Sequence, residues 1–101
     1  MIDLPKLDIA KVERLREKML LTKGQMANVL GISRVHYYTL LEASASGREE
    51  DMRKSTREKV RYGLVRLLTV AQKHHWPLKE HADMPPSQRF ERLKELAGIS
   101  Q

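Results

Sequence analysis

The chain contains no cysteine, so a disulfide framework and a thiolate metal site are both excluded, and a reducing compartment is the natural setting. Long apolar runs are missing too. From Met1 to Asp8 the apolar residues are interrupted by Asp3, Pro5 and Lys6, which suits neither a secretory signal nor a membrane span, so the expected location is cytoplasmic. No alternating strand pattern, internal repeat or low-complexity tract is found, and the fold class expected is all-α. A thiol nucleophile and a glycine-rich phosphate loop are absent, and no Ser, His and acid set can be placed together from spacing. The chain is therefore not expected to be an enzyme and calls for no cofactor. Its 101 residues suit one domain with one modest core.

The most informative absence is local. Between residues 23 and 41 there is no acidic side chain, and Lys23 and Arg34 stand unopposed. Over 55–75 the single acid, Glu58, faces Arg57, Lys59, Arg61, Arg66 and Lys73. The rest of the chain is nearly balanced, so the net charge of +6 is concentrated in these two segments. An ordinary solvated basic surface would account for such an excess, but its clustering is also the footprint of a face that approaches phosphates.

Apolar spacing of three to four residues predicts the helices. Asp8 caps a first helix over about 9–20 that turns Ile9, Val12, Leu15 and Met19 to one side. Thr22 caps a second with Met26, Ala27 and Leu30, ended by Gly31 in a left-handed conformation. Ser33 caps a third running to about Leu41, and Ala43 to Lys54 reads as a loop. Ser55 and Glu58 have capping-box spacing for a long fourth helix over about 55–75, with Val60, Leu64, Leu67, Leu68 and Ala71 inward. The Trp76-Pro77 pair ends it. Ser87 then caps a last helix carrying Phe90, Leu93, Leu96 and Ala97.

Two short helices joined by a tight glycine turn must cross steeply and still touch, which requires a small residue at the crossing and apolar ones around it. Lys23 to Glu42 meets that requirement: Ala27 is small, Gly31 makes the turn, and Met26, Leu30, Ile32, Tyr37 and Leu40 supply a shared core. The string LTKGQMANVLGISRVHYYTLLE, from Leu21 to Glu42, resembles the helix-turn-helix of phage repressors and Cro-type regulators, the XRE-like family. Two features depart from that family: Tyr37 stands where Val or Ile is usual, and the charged loop with the long helix 55–75 replaces two short helices.

The resemblance implies a five-helix, lambda-repressor-like helix-turn-helix domain with an extended fourth helix and a C-terminal helix. Residues 1–75 would form the DNA-binding domain, and 76–101 an extension and candidate dimerisation element. It also implies that the second helix of the motif enters the major groove. The base-contacting positions would be Ser33, Arg34, Val35, Tyr38 and Thr39. Arg34 suits guanine, to which a guanidinium donates two bonds, while Val35 and Thr39 suit a thymine methyl. Thr22 and Lys23 fall where the family anchors a phosphate; His36, Arg57 and Arg61 are further phosphate candidates.

Each position has a plainer alternative. Arg34, Lys23, His36, Tyr38, Arg57 and Arg61 could be solvated helix residues, whereas Tyr37 reads as core. Arg48, Arg53 and Lys54 could reach a DNA backbone but are interrupted by Glu49, Glu50 and Asp51. His74, His75 and His81 with Asp83 include metal-ligating types, but neighbouring histidines at a helix end diverge and more often cap carbonyls, so no metal is expected. Phe90, Leu93 and Leu96 could join two copies, offer a surface to another protein, or cover the chain's own core. The leading expectation is a dimeric repressor that occludes a promoter at a pseudo-palindromic operator on double-stranded DNA. The alternative is an adaptor that binds a protein such as polymerase or a toxin.

Overall fold

The computed structural model describes residues 8–46 and 53–99. The readings placed on Met1 to Leu7 and on Arg48, Glu49, Glu50 and Asp51 lie outside the described residues. Among those described, six helices and no strand are found: α1 (Ile9–Lys18), α2 (Lys23–Leu30), α3 (Arg34–Ala45), α4 (Lys54–Lys73), α5 (Lys79–Ala82) and α6 (Pro86–Ala97). No helix among them is long and apolar enough to cross a membrane.

Local chemistry sets the ends of the first three helices. The Asp8 carboxylate accepts from the Ala10 amide at 3.0 Å to open α1. α1 closes two residues before the spacing predicts, because Leu20 adopts a left-handed φ of 63°. That turn lets the Leu21 amide donate to the Arg16 carbonyl and the Leu20 amide to that of Glu17, both at 3.1 Å, so the last carbonyls are satisfied. α2 opens with a reciprocal box: the Gln25 amide donates to Thr22 Oγ1 at 3.1 Å, and the Thr22 amide to Gln25 Oε1 at 3.0 Å. Gly31, at φ 74°, ends it. Ser33 then accepts from the His36 amide at 3.0 Å to open α3.

Beyond this point the structure departs from the spacing rules in several places. α3 continues to Ala45, so Ala43 to Ala45 belong to it rather than to a loop; alanine is a strong helix former even where no apolar stripe marks it. α4 begins at Lys54, which puts Ser55 inside the first turn, and no side chain caps it. α6 begins at Pro86, whose fixed φ suits the first helical position, so Ser87 is internal and is not the cap. The short α5 has no apolar repeat long enough to announce it. Leu68 is 48% exposed rather than inward. Eight residues after Val60, it has drifted roughly 80° around the helix at 3.6 residues per turn.

One apolar core unites the helices, with Ile9, Val12, Met19, Leu21, Met26, Ala27, Leu30, Tyr37, Val60, Leu67, Val70, Trp76 and Leu93 all buried. α1 packs on α3, α3 on α2, α2 on α4 and α4 on α6. The segment after α4 is tied back to α1 by a buried bond, Trp76 Nε1 donating to the Met19 carbonyl at 2.9 Å. His81 stacks on the Trp76 ring at 4.1 Å between centroids and accepts the Leu78 amide on Nδ1 at 3.0 Å. Histidine thus serves the turn before α6.

The contact between α2 and α4 depends on one missing side chain. A Cβ on Gly63 would stand 2.8 Å from Leu30 Cδ2, 2.9 Å from the Val29 carbonyl oxygen and 3.0 Å from Leu30 Cα. Two of those atoms are backbone and cannot step aside without moving α2. Gly63→Ala would raise helix propensity by about 1 kcal/mol in an open helix, yet here it should destabilise the protein by about 1–3 kcal/mol through overpacking. Denaturant melts of the two proteins measure the sign.

Candidate nucleic-acid interface

α3 is oriented by a polar network on its inner side. The Tyr37 hydroxyl donates to Glu13 Oε2, joining α3 to α1. The same carboxylate receives Arg16 Nε at 2.8 Å and Arg16 Nη2 at 3.1 Å, and Arg16 Nη1 donates to the Leu21 carbonyl at 2.8 Å. Burial alone would raise the Glu13 carboxyl, but the hydrogen bonds from Arg16 and Tyr37, with the charges of Arg16 and Lys23, outweigh it and hold the group below its ordinary range. The Tyr37 phenol is pushed up, by burial first and then by the bond to Glu13 and its negative charge. A tyrosine at this position is therefore core and anchor together, its ring in the apolar cluster and its hydroxyl on a charge.

With Tyr37 buried at 1% exposure, the opposite side of α3 faces out. Val35 is 73% exposed and Tyr38 43%; Ser33, Arg34 and Thr39 are exposed as well, and His36 is half-buried. The structure gathers several of them with the start of α2. A Cβ on Gly24 would lie 3.4 Å from Arg34 Cδ, so the arginine stem passes close over the first turn of α2. Lys23 Nζ stands 5.4 Å from the centroid of the Tyr38 ring, a cation–π contact across the two helices. Lys23, Arg34 and Tyr38 thus form one surface with Val35 and Thr39 beside it.

Electrostatically this surface favours an anion. Neither α2 nor α3 has an acid in its first turn, so the positive end of each helix dipole is uncompensated. The hydroxyls of Thr22 and Ser33 are engaged in capping, which fixes the helix starts by holding the Gln25 and His36 amides and leaves those of Lys23, Gly24, Arg34 and Val35 without an acceptor inside their helices. Thr39 Oγ1 is also engaged, donating to the Val35 carbonyl at 3.0 Å.

Two residues outside the expected contact set belong to this description. Glu42 lies seven residues beyond Val35 on the exposed side of α3, and it is helical because α3 runs on to Ala45. An acid at the third turn confines a polyanion-compatible surface to the first two turns. Lys59 is the other: its Cδ lies 3.9 Å from where a Gly31 Cβ would be, so α4 places a cation at the turn between α2 and α3. Its only sequence signal was membership of the acid-poor segment. Arg57 and Arg61 are not brought in by the same contact. At 3.6 residues per turn Arg61 is roughly opposite Gly63 on α4, and Arg57 is about a third of a turn away. The outer side of α4 instead presents Tyr62 at 62% exposure, Val65 at 61% and Leu68 at 48%, with Arg66 Nη2 donating to the Tyr62 hydroxyl at 3.2 Å.

The network behind α3 sets a pH dependence. Glu13 titrates lower in the folded chain, so its contribution is complete above its unfolded-state value of about 4.3 and is lost as pH falls through the folded value. Tyr37, shifted upward, contributes below about pH 10 and loses that contribution as pH rises further. Tyr37→Phe should cost about 1–2 kcal/mol at neutral pH. Glu13→Gln should flatten the acid limb of stability against pH. Chemical denaturation of the three proteins across the acid range checks both, and unchanged midpoints would show that the network does not hold α3.

Comparison of the chain with protein-family models, with curated proteins and with solved structures finds no match in any of the three.

Proposed function

We propose that the protein is a sequence-specific regulator that binds duplex DNA, reading the major groove with the first two turns of α3 while the start of α2 holds the backbone. The observation that carries this reading is the single outward surface on which Lys23, Arg34, Val35, Tyr38 and Thr39 meet at two acid-free helix starts. Protein–DNA affinity comes largely from phosphate neutralisation, and specificity from side chains that reach base edges. Arg34 is the guanine reader in this arrangement, and Lys23 with the first-turn amides of α2 meets phosphate. Lys59, beside the turn, extends the basic rim. α2, Gly31 and α3 act as a lambda-repressor-like helix-turn-helix, supported by the small residue, glycine and serine cap in register.

Repression by occupancy is the simplest mode of action, with two copies on the two halves of a pseudo-palindrome. The contact between copies is more readily supplied by α4 than by α6. Leu93 is fully buried within the chain's own core, and Phe90 and Leu96 pack against it, whereas Tyr62, Val65 and Leu68 remain exposed. That same apolar stripe is the observation that favours the second reading, an adaptor whose partner is another protein.

Selection from random duplex DNA at near-physiological salt tests the leading reading. A preferred sequence should emerge, as an inverted repeat if two copies bind. Arg34→Ala should lower affinity for it by about 1–3 kcal/mol while sparing other DNA. Lys23→Ala should weaken all sequences alike and reduce the salt slope by about one unit. Absence of any enrichment would favour the adaptor.

A further inference from the structure

The outer side of α4 lies nearly opposite its contact with α2, since Val65 is two residues beyond Gly63 and about 200° around the helix at 3.6 residues per turn. Val65 is 61% exposed, and Tyr62 and Leu68, at 62% and 48%, stand about 60° to either side of it. Thr69 adds a methyl to the same stripe, because its hydroxyl donates to the Val65 carbonyl at 2.8 Å and is turned back onto the helix. Charge accompanies the stripe. Arg61 lies on the Leu68 side of Val65 and Arg66 on the Tyr62 side. The Arg66 guanidinium carbon is 4.5 Å from the centroid of the Tyr62 ring, and Nη2 donates to the Tyr62 hydroxyl. After Glu58 no acid occurs until Glu80, so α4 has no carboxylate beyond its second turn.

We propose that the outer side of α4 is a docking surface for an acidic amphipathic helix of another protein, whose apolar side covers Tyr62, Val65 and Leu68 and whose carboxylates pair with Arg61 and Arg66. Three kinds of occupant compete for this face, and its two properties separate them. Nucleic acid would neutralise the cations and leave three large apolar side chains in water. A second copy of α4 would cover the apolar stripe but set arginines against arginines, so α4 suits contact between copies better than α6 does and an acidic partner better still. A partner that is apolar and anionic at once satisfies both. A helix has the fitting shape. From Tyr62 to Thr69 the stripe is a ridge roughly 10 Å long whose backbone bonds are closed inside α4, so it offers packing to another helix and no edge to a strand. Guanidinium groups hold carboxylates by two parallel bonds, which fixes the register of the partner. This inference does not rest on the reading of α3.

The test titrates the full chain with a synthetic helical peptide that carries leucine at every third or fourth position and glutamate on both sides of that stripe, and with a twin in which glutamine replaces glutamate. The glutamate peptide should bind, with amide shift changes centred on Tyr62 to Thr69, and added salt should weaken it. Its twin should bind roughly three- to tenfold more weakly, as expected for the loss of two exposed charge pairs. Arg61→Gln combined with Arg66→Gln should remove that difference between the peptides, whereas Val65→Gln should weaken both. No binding of the glutamate peptide, equal affinity for the two peptides, or shift changes centred on α3 overturns the proposal. So does a short DNA duplex that shifts the same α4 amides, which assigns the face to nucleic acid, or self-association of the chain alone that Val65→Gln abolishes, which assigns it to a second copy.

Discussion

The hydrogen bond from the Tyr37 hydroxyl to the Glu13 carboxylate is the interaction on which the presentation of α3 depends. A helix in an apolar core is free to slide and rotate by small amounts, because hydrophobic contact is not directional. A phenol aimed at a half-buried carboxylate is directional, and the carboxylate is itself held by two nitrogens of Arg16. Arg16 in turn grips the Leu21 carbonyl, at the turn that leads into the Thr22 cap of α2. One chain of bonds thus links α1, the start of α2 and the inner side of α3. The outer side of α3 inherits its orientation from that chain.

The second constraint is steric. Gly63 lets α4 approach the last turn of α2 until backbone meets backbone, and in the same approach Lys59 comes to the Gly31 turn. α6 and Trp76 close the other flank, Trp76 by donating to the Met19 carbonyl at the end of α1. The outward surface around Lys23 and Arg34 therefore rests on a support made by α1, α4, α6 and Trp76. Preorganisation of this kind matters for a reading surface, because side chains already held in place lose less entropy on binding.

What could be read from the sequence follows from how local each determinant is. The caps at Asp8, Thr22 and Ser33 and the stop at Gly31 act over five residues or fewer, and all four form as the spacing indicates. The charge gap over 23–41 likewise marked the stretch from which the outward surface is built. Pairings over longer separations left no such signal. Tyr37 looked like an ordinary core residue because its partner Glu13 is 24 positions away. Gly63 looked like a weak point in a helix, since its reason is the backbone of α2. The inward reading of Leu68 failed because the buried stripe of α4 is centred on Gly63, Leu67 and Val70 and is narrower than the apolar count suggests. Cap assignments at Ser55 and Ser87 failed where a helix started one residue earlier, so that a good capping residue was overtaken by its own helix.

The central claim is that one surface, made by the start of α2 and the first two turns of α3, meets DNA. Backbone amide chemical shifts of the full chain, followed while a duplex of the preferred sequence is added, test it most directly. The account predicts that the changes concentrate at Lys23, Gly24 and Ser33 to Thr39 and spare Tyr62, Val65 and Leu68. Changes confined to the outer side of α4, or none at all at saturating duplex, would contradict it.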